Sequence, residues 1–150
     1  MGYSPSLYRF TEGSDTPVPL DLDTVRSVLA PYDTGDPALT VMDDGRHQFW
    51  VRASDGSGAE IFADGTGVLV ERPHSGTGVF GIVAELAARL GAVVVEPRSG
   101  AFLCDGETYA RLPATVRDDA VVVELTGEAL AAALIGPPPA PKHAEARRPA

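Results

Sequence analysis

The stretch Arg46-His47-Gln48-Phe49-Trp50-Val51-Arg52-Ala53-Ser54-Asp55-Gly56-Ser57-Gly58-Ala59-Glu60-Ile61-Phe62-Ala63-Asp64-Gly65-Thr66-Gly67-Val68-Leu69-Val70-Glu71-Arg72 decides how this chain folds. Three β-forming runs are separated by Ser54-Asp55-Gly56-Ser57-Gly58 and by Asp64-Gly65-Thr66-Gly67. Both separators are built from residues that reverse a chain: Gly tolerates positive φ, and Asp and Ser bond their own backbone. Turns recurring about every ten residues predict antiparallel neighbours, because parallel strands need long crossovers. Upstream, Asp43-Asp44-Gly45 between Ala38–Met42 and Arg46–Ala53 predicts one more hairpin, giving a four-stranded antiparallel meander.

Side chains alternate across a strand. His47, Phe49 and Val51 therefore share one face, and Arg46, Gln48, Trp50 and Arg52 the other. In the next two runs Ile61, Val68 and Val70 oppose Glu60, Phe62, Leu69 and Glu71. Two placements suit Trp50. It packs beneath a helix over Asp21 to Ala30, or it centres an exposed patch with Arg46, Arg52 and Phe62, residue types that concentrate at binding hot spots.

After the meander the chain reads Arg72-Pro73-His74-Ser75-Gly76-Thr77-Gly78-Val79-Phe80-Gly81, and the strand Ala92 to Glu96 later ends on a carboxylate. The spacing Gly76-x-Gly78-x-x-Gly81 is that of a dinucleotide-binding fingerprint. Its context is not. Glu71 to Ser75 separate the strand from the first glycine, and the incoming strand belongs to an antiparallel set, whereas that fold needs a parallel sheet. The motif reads instead as a helix start capped by Ser75 or Thr77, with Gly81 allowing close helix–sheet packing. A narrower expectation stays: Arg72, His74, Ser75, Gly76, Thr77 and Gly78 surround helix-start amides that hold a small anion.

Outward from this centre, Tyr3 to Phe10 predicts a strand, and Asp21 or Asp23 caps a helix with Leu22, Val25, Val28 and Leu29 on one stripe. The 76–91 helix carries Val79, Ile82, Val83, Leu86 and Leu90 at helical spacing and stops at Gly91. Ala92–Glu96 and Ala101–Cys104 form a hairpin that ends at Asp105-Gly106; Ala120–Leu125 is a further strand, and Thr126 caps a helix through Ile135. The class expected is α+β: a meander of about four strands, extended by two or three later strands and packed with two to three helices, in one domain over residues 1–136. Residues 137–150, rich in Pro and Ala, are expected to be a disordered tail.

Composition narrows function. With 44% apolar and 22% charged residues the chain has the make-up of a soluble globular protein. One Lys beside eleven Arg, and no Asn, is the bias of a high-GC bacterium such as an actinomycete. Up to Gly136 there are 9 basic and 20 acidic residues, net −11, while Lys142, Arg147 and Arg148 against Glu145 give the tail +2. Such a body repels nucleic acid and attracts cationic partners. No apolar run approaches the roughly 18 to 20 residues of a membrane span. The lone Cys104 forms no internal disulfide, and a cytoplasmic location is expected. Cys104, on a hairpin strand, reads as a buried inert thiol, and His47, His74 and His143 lack metal-ligand spacing. No metal, cofactor or catalytic constellation is expected.

Two functions follow from these residues. The first is a non-enzymatic acidic protein-interaction module, of the inhibitor or immunity type, that binds a cationic protein. The second is a small-ligand, nucleotide or anion binder at the Gly76 helix start, with Glu96 as its acidic member. Pairing of like chains through sheet edges is a third arrangement.

Overall fold

A computed structural model of the chain describes residues 5–11, 16–34, 46–71, 78–96, 98 and 100–135. The expected strand Ala38–Met42 and the tail from Gly136 lie outside them. The strands are β1 (Ser6–Tyr8), β2 (His47–Arg52), β3 (Gly58–Ala63), β4 (Val68–Glu71), β5 (Val93–Val95), β6 (Phe102–Cys104) and β7 (Ala120–Val122). They form one sheet in the order β2-β3-β4-β1-β5-β6-β7, antiparallel throughout except for the parallel pair β6–β7. The helices are α1 (Leu22–Leu29), α2 (Gly78–Leu90), α3 (Gly106–Arg111), α4 (Ala114–Arg117) and α5 (Gly127–Ile135). The α+β class read from the sequence is the class observed.

The N-terminal strand has the central place. Leu7 pairs with Val68 of β4 and with Val94 of β5, so three residues join the meander to the second hairpin. Leu7 is fully buried, as a strand between two neighbours and beneath a helical layer must be.

The pleat sorts the side chains into two faces. The inner face carries Phe49, Val51, Ile61, Val68, Val70, Leu7, Val94 and Leu103, and it packs with the helices α1, α2 and α5 in the main core. The helix α2 is buried nearly all round, through Val79, Phe80, Ile82, Val83, Leu86 and Leu90, because it lies between the sheet and the other two helices. Each such side chain contributes roughly 1.5–3 kcal/mol of burial. At its C-terminus Gly91 adopts φ +64°, its amide donates to Ala88, and Ala92 donates to Ala87, the paired bonds of a Schellman stop. At Gly81 the close neighbour is Gly127 of α5, so this glycine serves helix–helix contact, not the helix–sheet contact expected.

The outer face is covered at one end. Val93, Cys104 and Ala120 pack with Leu112 and Val116 from α3 and α4, and Phe10 tilts against Phe102 at 5.8 Å between centroids. The sequence reading ended a hairpin at Asp105-Gly106 and foresaw no helix there. Asp105 is instead the N-cap of α3, accepting from the Thr108 amide at 2.7 Å, and α3 and α4 carry the chain across to β7, parallel to β6. A helix of six residues shows too few turns for its period to be visible.

An ion pair between an exposed arginine and a buried carboxylate fastens the far end of α5. Glu96 is fully buried after β5 and accepts from the amide and Nε of Arg98, both at 2.9 Å. The same guanidinium donates to the Leu134 carbonyl at 2.8 Å, capping the last turn of α5. Arg98→Ala strips the charged partner from a buried carboxylate. It is expected to lower unfolding free energy by about 2 to 4 kcal/mol in urea titration. Arg98→Lys recovers only part, since an ammonium has no fork to span Glu96 and Leu134.

Candidate functional site

The glycine segment was the first candidate. Arg72, His74, Ser75, Gly76 and Thr77 lie outside the described residues, and Gly78 opens α2. The Gly78 amide donates to Asp55 Oδ2 at 2.9 Å, and the Val79 amide donates to Ser57 Oγ at 3.0 Å. Ser57 in turn donates its amide, at 2.9 Å, and its hydroxyl to Asp55 Oδ1. The turn between β2 and β3 therefore supplies a carboxylate and a hydroxyl to the positive end of α2, more than twenty residues on. An exogenous anion at Gly78 would meet this carboxylate first. A Cβ on Gly78 would stand 2.6 Å from Ala53 Cβ and closer still to Asp55, so only glycine admits the turn. Glu96, the acidic member of that reading, is committed to Arg98.

These hydrogen bonds hold the Asp55 carboxyl below the ordinary value of 3.8; the Ser57 hydroxyl acts most, then the amides of Ser57 and Gly78. The ionised form is the bonded form. Its contribution to stability is therefore whole above the unfolded value and is lost as pH falls through the depressed folded value.

The second candidate is the outer face of β2, β3 and β4. It carries Gln48, Trp50, Arg52, Glu60, Phe62, Leu69 and Glu71, and the described helices belong to the inner layer or to the β5–β7 half. Trp50 is 41% exposed, an unusual position for the one Trp of the chain. The Arg46 guanidinium stacks over Phe62 at 5.1 Å from the ring centroid, a cation–π contact, and Arg52 is exposed beside Trp50. In the register Trp50 faces Glu60, and Glu60 faces Glu71. Two shallow clefts open here, about 200 Å³ beside Arg46 and Phe62 and about 140 Å³ beside Trp50, Arg52 and Glu60.

Trp50 does not lie beneath α1. Arg26 of α1 reaches His47 Nδ1 at 3.3 Å, which puts that helix on the face of His47, Phe49 and Val51. The β2 edge is closed at this point as well. The Trp50 amide donates to Asp33 Oδ1 at 3.1 Å, and the Thr34 amide donates to the Trp50 carbonyl at 2.6 Å. A partner at Trp50 thus meets a face of side chains, not a free strand edge.

Other chemistry is sparse. Burial, with Asp105 adding to it, pushes the Cys104 thiol up to about 11, so thiolate is scarce at neutral pH. No cluster of three metal-ligating side chains occurs among the described residues, and no described helix is long and apolar enough to cross a membrane. The sequence reading passed over a cleft of about 420 Å³ between Arg9, Phe10, Gly91 and Arg111, because its walls come from three distant segments.

Three outcomes test this geometry. Ser57→Ala is expected to cost about 1 to 2 kcal/mol, since Val79 loses its acceptor in a buried place. Asp55→Ala lowers the denaturation midpoint at pH 7, and its difference from wild type closes as pH drops below 3.8. Cys104 reacts with a thiol reagent only in denaturant, at an absorbance yield of one thiol per chain. No protein-family model, curated protein or solved structure matches the chain, and its function is read from its own residues.

Proposed function

We propose that the chain is a non-enzymatic acidic protein-interaction module, of the inhibitor or immunity type, that docks a cationic protein on the outer face of β2, β3 and β4. The observation that carries the reading is the exposed Trp50 among Arg52, Glu60 and the Arg46–Phe62 stack. A Trp that contributes to a core is shielded; one held at the surface on a rigid strand presents a large, preordered contact area. The half-buried Glu71, opposite the buried Glu60, adds a carboxylate at the margin of this face, where a basic side chain from a partner is favoured. The net charge of −11 over residues 1–136 speeds the approach of such a partner and makes the encounter salt-sensitive.

The anion-binding alternative at the Gly76 helix start finds less support, since the amide of Gly78 already serves Asp55. The net charge of −11 over residues 1–136 opposes direct nucleic-acid binding, no described helix is long and apolar enough to cross a membrane, and a cytoplasmic setting suits the lone thiol.

Trp50→Ala and Arg52→Glu test the reading. Each is expected to leave the circular dichroism spectrum intact and to shift Tm by less than about 5 °C, because the positions are exposed. Trp50→Ala is also expected to abolish capture of a basic protein that wild type retains at low salt and releases at high salt, whereas Arg52→Glu, which adds a carboxylate to the face, is expected to hold that protein to higher salt. Equal capture by wild type and both variants defeats the face as the docking surface, and unfolding of Trp50→Ala assigns Trp50 to the core. Light scattering that detects a dimer broken by Trp50→Ala makes a second copy the partner.

A further inference from the structure

We propose that the cleft between Arg9 and Arg111 is a binding site for a small organic phosphate monoester, separate from the Trp50 face. The cleft measures about 420 Å³ and is lined by Arg9, Phe10, Thr11, Gly91, Thr108 and Arg111. Three elements meet in it: the segment that leaves β1, the stop of α2 and the helix α3. Gly91 forms the floor. A Cβ there would lie 3.5 Å from Arg111 Nη2 and 3.9 Å from Arg9 Nε, so both guanidinium groups converge on one point.

Among the described residues that convergence meets no bonded counter-charge. Among the described residues neither guanidinium makes a hydrogen bond or an ion pair. Arg26 is engaged with Asp23 and His47, Arg46 with Phe62, Arg98 with Glu96, and Arg117 with the Leu112 carbonyl and the Tyr109 ring, while Arg52 and Arg89 stand singly at the exposed surface. What sets Arg9 and Arg111 apart, in a body of net −11, is that they line one cleft together and approach the same point at Gly91. Like charges held at such range repel unless an anion lies between them.

The charge selects the anion. Two guanidinium forks match a phosphate monoester, which carries about −1.5 to −2 at pH 7, while a carboxylate neutralises only one of them. The hydroxyls of Thr11 and Thr108 add neutral partners on the same wall. The volume exceeds what a bare oxyanion fills and lies in the range of small-molecule sites, and the half-buried Phe10 ring offers an apolar wall for the organic part. The backbone that carries Arg9 is fixed by its bridge to Val18, whose amide donates to the Arg9 carbonyl at 2.8 Å, and Arg111 sits in the last turn of a capped helix. Both cations are thus presented from ordered backbone.

Isothermal titration with phenyl phosphate, inorganic phosphate and benzoate tests the proposal on the full chain. Phenyl phosphate is expected to bind most tightly, inorganic phosphate and benzoate each at least about tenfold more weakly. Arg9→Gln and Arg111→Gln are each expected to lose about tenfold or more in affinity with an unchanged dichroism spectrum. Affinity is expected to fall as pH drops through about 6, where the phosphate loses its second charge. Trp50→Ala is expected to leave this binding unchanged, which keeps the outcome apart from that of the docking face. Absence of heat with phenyl phosphate to about 10 mM overturns the proposal. So does unchanged affinity in both arginine variants, and benzoate binding as tightly as phenyl phosphate overturns the choice of a dianion.

Discussion

The rest of the molecule depends on the way the β2–β3 turn holds the start of α2. Asp55 and Ser57 take the first two amides of that helix. A helix start leaves four amides without internal partners, and one that is partly buried needs acceptors from elsewhere. By supplying them, the turn fixes where α2 begins and in which direction it runs over the sheet. The helices α1 and α5 then pack on the two sides of α2, so the position of the whole inner layer derives from one turn. The absence of a side chain at Gly78 is the steric condition for this arrangement, and the motif that resembles a cofactor fingerprint owes one of its glycines to it.

Coverage of the sheet is uneven, and that unevenness produces the surface. The inner face is roofed along its length, whereas on the outer face α3 and α4 cover only the β5–β7 half. On the other half the strands retain an alternation in which the outward residues are neither purely polar nor purely apolar: Trp50, Phe62 and Leu69 stand among Arg46, Arg52, Glu60 and Glu71. A face that only met water would not need Trp50 or Phe62, and a face that met a helix would not tolerate the charges. The mixture supports the docking proposed for this face.

Local signals in the sequence were legible, and distant ones were not. The faces of β2 to β4 follow from strict alternation, so Phe49, Val51, Ile61 and Val70 could be assigned to one side from residue parity. Thr126 caps α5 through the Ala129 amide, and Gly91 ends α2, as short-range chemistry dictates. The central position of β1 was hidden because three residues carry no mark of their partners. The acceptors of the Gly78 and Val79 amides stand 23 and 22 positions earlier, beyond the reach of any local capping rule. Tyr109, Leu112 and Val116 do have helical spacing, but Gly106 and Pro113 interrupt it and make the segment look like loop. The Arg9–Arg111 cleft was invisible for the same reason as β1, since only folding brings its walls together.

The acidity of the chain has a structural share that a count of charges conceals. Asp21 caps α1 through the Asp23 amide and accepts the Thr24 hydroxyl; Asp64 gathers the amides of Thr66 and Gly67; Asp55 serves α2. Each of these carboxyls is held below its ordinary value, led by the Thr24 hydroxyl at Asp21, the Thr66 amide at Asp64 and the Ser57 hydroxyl at Asp55. They ionise to build turns and helix starts, and their lone pairs are spoken for. The same bonds keep them ionised to lower pH than free carboxyls, so the long-range field persists where surface glutamates begin to protonate. For the proposed cationic partner, the field therefore speeds approach without choosing it. In the proposed docking, selection falls to groups whose side chains remain outward, and on the described sheet face those are Trp50, Arg52 and the half-buried Glu71.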